Sequence, residues 1–183
     1  MPGLVRIAVT VLLIVPASLS AQPPAPMASS GTVGAALLSA YQRYARNMPG
    51  AADLMPADKF SYKPTPAQMS FGEIMAHEAS ANESVCAAMA GGAMTPNESA
   101  AGATAPKDQL VDRLRKSFET CAAIVAKLPD SALGDSVPFF GGRKATKARA
   151  AIALAQDWAD HYAQASMYLR LNGILPPSAQ PRK

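Results

Sequence analysis

The sequence predicts an all-α fold, a four-helix bundle with long connections. Three observations lead there. Hydrophobic residues make up 49% of the chain and charged residues 16%, which suits a globular domain. Aromatics are only 6% and alanine is abundant, which favours closely approaching helices over strands. Four stretches carry apolar residues at spacings of three and four, and each ends at Pro or Gly. Four apolar stripes bury one another most simply as a bundle. No repeat of fixed period is present.

Residues 1–21 read as a secretory signal. Arg6 supplies the positive start, and Ile7 to Leu19 is an apolar run too short for a typical membrane span. Ser18-Leu19-Ser20 places small residues where a signal peptidase reads, and Ala21-Gln22 offers an alternative cut. No Cys lies near the cut, which argues against a lipoprotein anchor; an uncleaved signal anchor is the competing reading. Residues 22–31 form a Pro-rich leader. The expectation is a periplasmic or secreted domain with no stable membrane anchor after cleavage.

The bundle is expected over residues 32–178, with a short tail at 179–183. Thr32 to Met48 reads as the first helix, with Val33, Ala36, Leu37, Ala40, Tyr41 and Tyr44 on its apolar face and Pro49-Gly50 as its stop. Residues 51–68 are a Pro-rich connection anchored by Phe60 and Tyr62. Ser70 and Glu73 make a capping box for a second helix that runs to about Met89. Ile74, His77, Ala81, Val85 and Ala88 mark its core side. After a loop, Lys107 to Leu128 is the third helix, striped by Leu110, Leu114, Phe118, Cys121, Ile124 and Val125. Residues 131–144 read as a second connection, anchored by Val137-Pro138-Phe139-Phe140 and turned by Gly141-Gly142. The fourth helix starts near Thr146 and runs to about Asn172. Leu154, Trp158, His161, Ala165 and Tyr168 share one of its faces, and Gly173 and Pro176-Pro177 end it.

The net charge of +4 is modest and the basic residues are scattered, apart from 113–116 and 143–149. They are not interleaved with aromatics, so nucleic-acid binding is not expected. Cys86 and Cys121 are the only cysteines. Export would allow a disulfide between them, while two buried thiols are the alternative. Met75, Met89 and Met167 read as core filler. Gly141-Gly142-Arg143-Lys144 lacks the spacing of a phosphate loop and reads as a solvated turn. Asn82 and Asn97 each head a glycosylation sequon, the first inside a helix.

The chemistry rests on two histidines, His77 and His161, the only ones in the chain. Each is expected on a face of a long helix in one bundle, and bundles build metal sites from facing helices. Asp157 lies one turn before His161, so the two can grip one ion. Two His and one carboxylate would leave open positions for water or a small-molecule substrate. Glu78 and Asp160 are fallback ligands or second-layer partners. The competing reading is a pair of packed structural histidines.

Phe71 to Ala79 followed by Cys86, Asp160 to Gln164, Tyr168 to Pro177, and Phe60 to Thr65 together resemble the DinB-like superfamily of metal-dependent bundle proteins. The resemblance spans Thr32 to Ser178. It implies a four-helix bundle with a divalent metal held by one His of helix two and a His-x-x-x-His pair of helix four. His77 matches the first and His161 the last; Asp157 stands where the pair has its other His. The metal is expected from the zinc, nickel or iron class. Some members are thiol-dependent transferases or hydrolases, although export argues against a cytosolic thiol cofactor here. A non-catalytic helical bundle, a binding or stress-associated module without a functional metal, is the alternative. Whether the chain is an enzyme, its substrate, and whether it forms a homodimer stay open.

Overall fold

In this computed structural model the structure describes residues 31–95 and 104–181. The expected signal and most of the leader lie outside the described residues, as does the Asn97 sequon. Among the described residues four α-helices carry the fold: α1 (Thr32–Leu54), α2 (Phe71–Met89), α3 (Lys107–Ala126) and α4 (Lys147–Leu171). A short antiparallel hairpin, β1 (Ser136–Phe139) and β2 (Arg143–Thr146), precedes α4. Among the described residues no helix is long and apolar enough to cross a membrane.

α2 packs on α3 and α4, and α1 packs on the same two helices. The diagonals are therefore α1–α2 and α3–α4. Each consecutive pair on a diagonal has to be joined across an end of the bundle, which is why residues 55–70 and 127–146 are long. Between α2 and α3 the Cys86–Cys121 disulfide closes the core, with Cα atoms 5.5 Å apart and both residues fully buried. The question of bridge or free thiols is thus answered by the bridge.

Two expectations need correction. α1 does not stop at Pro49-Gly50 but continues through Pro49 to Leu54. A proline inside a helix costs about 3 kcal/mol or more. Here Met48, Ala51, Ala52 and Met55 are all fully buried on the continued turns. Each buried methionine is worth about 1.5–3 kcal/mol, so the packing offsets the break. Lys107 then closes the far end, its Nζ donating to the Asp53 and Met55 carbonyls at 2.8 and 2.7 Å. The apolar face also turns slightly: Val33 and Ala36 are exposed, and Leu37, Leu38 and Tyr41 face the core.

The second correction is the hairpin, where residues 131–144 read as a plain connection. Gly141 and Gly142 both adopt φ near +70°, which other residues avoid, and that turn brings Val137 opposite Ala145. Arg143 and Lys144 are exposed on it, in keeping with a solvated turn. Met167 is also exposed rather than core, while Met75 and Met89 are buried.

Local signals behave as expected elsewhere. Ser70 and Glu73 form the reciprocal capping box of α2. The backbones of Phe60 and Tyr62 accept from Gly72 and Phe71, and the Phe60 ring packs edge-on to Phe71 at 5.3 Å, so the lead-in is fastened to the body. Thr146 Oγ1 caps α4 by accepting from Arg149 N. Helix α1 lacks a cap of its own and borrows one: the Asp130 carboxylate accepts from the Val33 and Gly34 amides at 3.1 and 2.9 Å. A Cβ on Gly31 would lie 2.2 Å from Asp130 Cγ, so only glycine admits this contact. At the C-terminus Gly173 has φ +75°, and the chain turns back so that Ser178 exchanges hydrogen bonds with the Tyr162 hydroxyl at 2.8 and 3.0 Å.

Candidate metal centre

The α2–α4 interface positions the site through a fixed point one turn away. Asn82 on α2 and Trp158 on α4 are both fully buried. Trp158 Nε1 donates to Asn82 Oδ1 at 2.7 Å, Asn82 Nδ2 donates to Ser117 Oγ at 3.1 Å, and Ser117 Oγ donates to the Leu114 carbonyl at 2.8 Å. Each side chain of this relay has its hydrogen-bond partner, so the relay sets the rotation and register of α4 on α2 and α3. The Trp158 ring is further wedged between Tyr41 and Phe118, at 5.9 and 6.0 Å. Burial of Asn82 also removes it as a glycan acceptor in the folded chain.

That register brings His77, Asp157 and His161 together. Asp157 Oδ1 lies 3.4 Å from His161 Nε2 and 3.6 Å from His77 Nε2. The imidazole rings meet edge to face with centroids 4.5 Å apart. One ligand atom from each residue falls within 4.8 Å of the others. Zinc-class ions hold nitrogen and oxygen donors at about 2.0–2.2 Å, so the edge of a tetrahedral site measures about 3.3–3.6 Å. The separations of Asp157 Oδ1 from the two imidazole nitrogens match that edge. All three predicted ligands are therefore brought to one point, and the donor set fits the ion class.

His161 is buried, whereas His77 and Asp157 are about a quarter exposed, so His77 is less of a core residue than its helix face suggested. Both line the wall of a cavity of about 430 Å³ that opens to solvent. Ser80 and Ser84 of α2, Gln156 and Asp160 of α4 and Phe140, next to the hairpin, complete its polar and aromatic lining. Asp160 therefore faces the cavity rather than the three-ligand cluster. Glu78 is not part of that cluster. Its carboxyl is wholly buried. The cavity wall was not legible in the sequence, because Phe140 arrives from the hairpin and the serines are ordinary small residues on α2.

The electrostatics follow from the crowding. Burial alone would raise the Asp157 carboxyl, but His161 and His77 beside it more than reverse this and hold it at about 2. Burial likewise disfavours the charged form of His161, and Asp157 outweighs it, with smaller help from Asp160 and Gln164; the imidazole is raised above its usual value. Burial pushes Glu78 well above the usual carboxylate range, and the Asp157 charge adds to this. Among the described residues five buried side-chain N or O atoms lack a hydrogen-bond partner. Four belong to this region: Asp157 Oδ2, His161 Nδ1 and both carboxyl oxygens of Glu78.

Comparison with known proteins agrees with this architecture. No curated protein is matched in sequence. Among solved structures, a DinB-like protein from Bacillus cereus superposes with a TM-score of 0.65 at 15% identity, covering 77% of this chain and 93% of that one. A DinB-like protein from Bacillus subtilis gives 0.61 at 19% identity, covering 81% and 99%. A mycothiol-dependent maleylpyruvate isomerase, as an H52A mutant, gives 0.61 at 15% identity; 71% of this chain is covered, and it spans 59% of that enzyme's length. At such identities the likeness is one of fold. A sequence model described as the DinB superfamily matches residues 40–165, most of the chain, and this protein belongs to the DinB superfamily.

Proposed function

We propose that this chain is an exported member of the superfamily that binds a divalent metal, of the zinc, nickel or iron class, through His77, Asp157 and His161. One observation carries the reading: three donors from two helices stand within 4.8 Å of one another at the wall of an open cavity, with Asp157 Oδ1 at tetrahedral-edge separation from each imidazole. Two imidazoles and a carboxylate leave coordination positions free, and a metal held in this way supplies Lewis acidity for hydrolytic or group-transfer chemistry. The protein's own residues do the rest. Asp157 bridges the two imidazoles and supplies the negative charge. Asp160, at the cavity wall, is placed to hold or move a proton on a small-molecule substrate. The likeness to the mycothiol-dependent isomerase supports a transferase or isomerase among the candidate reactions.

Export is supported by the Cys86–Cys121 bridge, because disulfides persist in oxidising compartments, and by the signal-like start of the sequence. The test is metal analysis of the protein purified without chelator, beside His77→Ala and His161→Ala variants. About one equivalent of metal is expected in the parent chain and a large loss in each variant. A metal-free parent whose melting temperature does not rise with added zinc, nickel or iron would sink the proposal, since a ligand bound only by the folded state must stabilise it.

A further inference from the structure

Glu78 poses a separate question. A carboxyl with both oxygens buried and unpartnered is costly, and such groups in native proteins call for an explanation. Its place on α2 narrows the choice. At about 100° per residue, Glu78 lies about 100° round the helix from His77 and about 40° short of Asn82. Those two flanking residues both reach α4: His77 faces Asp157 and His161, and Asn82 bonds Trp158. Glu78 therefore points at α4 between them. Level with it on α4 is the turn that follows Trp158, because these contacts make the two helices antiparallel. His161 is in that turn. Its Nε2 is turned to Asp157, and its Nδ1 is buried without a hydrogen bond.

The geometry points to Glu78 as the positioning residue of the metal centre, its carboxyl accepting the Nδ1–H of His161 when Nε2 holds the ion. This inference rests on the metal reading above. A metal-bound imidazole carries its proton on the other nitrogen, and an acceptor there fixes the tautomer and ring orientation and raises ligand basicity. The pairing would satisfy two of the unpartnered atoms at one stroke, His161 Nδ1 and one oxygen of Glu78. It also explains why a carboxyl is kept at a fully buried position where leucine would pack at lower cost. Gln164, three residues beyond His161 and half-buried, already stands beside the imidazole closely enough to favour its protonated form, and it is the competing acceptor.

The experiment uses the full chain, with zinc alone as the probe and a chromophoric chelator as competitor. Glu78→Leu is expected to raise the melting temperature of the metal-free protein while weakening zinc binding about 10–100-fold. Glu78→Gln keeps an acceptor oxygen and is expected to stay within a few-fold of the parent, and Gln164→Ala to leave affinity unchanged. In imidazole ¹⁵N–¹H spectra of the zinc-loaded parent, the His161 Nδ1–H signal should be protected from exchange and should shift in Glu78→Gln, a readout that does not need the leucine variant to fold. Glu78→Leu binding zinc as tightly as the parent, or Gln164→Ala taking the loss instead, would overturn the inference and leave the metal centre standing. A parent chain that binds no zinc would overturn both.

Discussion

The two ends of the α2–α4 interface are built on opposite principles. Around Asn82 and Trp158 each polar atom has its partner, and aromatic rings fill the remaining space. One turn away, around His77, Asp157 and His161, the polar atoms stand at 3.4–3.6 Å, several are unpartnered, and a cavity replaces the packing. The first end supports the fold, and the second gathers the donors proposed above to hold a metal. The contrast teaches that the site is precise because its neighbour is rigid: Asp157 and Trp158 are adjacent residues, so fixing the indole fixes the carboxylate.

The sharpest break is at the packed end. Trp158→Ala removes the largest fully buried side chain and orphans Asn82, and it is expected to cost about 3–5 kcal/mol, read as a lower denaturant midpoint. Metal binding should fall with it, because the register of α4 is lost. An unchanged midpoint would mean that the two ends are not separable in this way.

Next in size is the bridge between α2 and α3. Replacing Cys86 and Cys121 together by Ala is expected to cost about 2–4 kcal/mol, seen as a loss that reducing agent reproduces in the parent and not in the variant.

At the open end the expected pattern is reversed. His77→Ala touches a partly exposed side chain and should change metal-free stability by no more than about 1 kcal/mol, yet abolish the zinc-induced rise in melting temperature. Asp157→His supplies a second helix-four imidazole and should retain that rise, whereas Asp157→Ala should lose it. A metal response that survives Asp157→Ala would remove Asp157 from the ligand set.

The smallest effect is on the acid limb. In metal-free protein the Asp157 carboxyl is held at about 2, below its ordinary 3.8. A lowered folded value contributes stability that is present above 3.8 and lost as pH falls through about 2. The Ser70–Glu73 box acts in the same sense, with Glu73 at about 2 against 4.5 through its hydrogen bonds to the Ser70 backbone and Lys63. Asp157→Asn should flatten the pH dependence of unfolding between about 3.8 and 2, and Glu73→Gln between about 4.5 and 2. A slope untouched by Asp157→Asn would argue that the two imidazoles do not bear on that carboxylate.

The presence of four helices, the Ser70–Glu73 cap, the Gly173 turn and the Asp157–His161 pair were legible from spacing and local chemistry, because each depends on residues close to one another in the sequence. Asp157 and His161 are such a pair, and His77 was the only other imidazole available. Pro49 shows where that kind of reading ends. Its cost is local and visible, but the burial of Met48 and Met55 that offsets it depends on helices far away in the chain. The hairpin, the borrowed Asp130 cap, the diagonal order of the helices and the Phe140 wall of the cavity are likewise contacts between distant segments. The sequence by itself determined which residues could bind an ion. Only tertiary packing decided that their donors meet at the right separation beside a cavity, because that separation is set by the register of α4 on α2, which Asn82 and Trp158 lock from two distant parts of the chain.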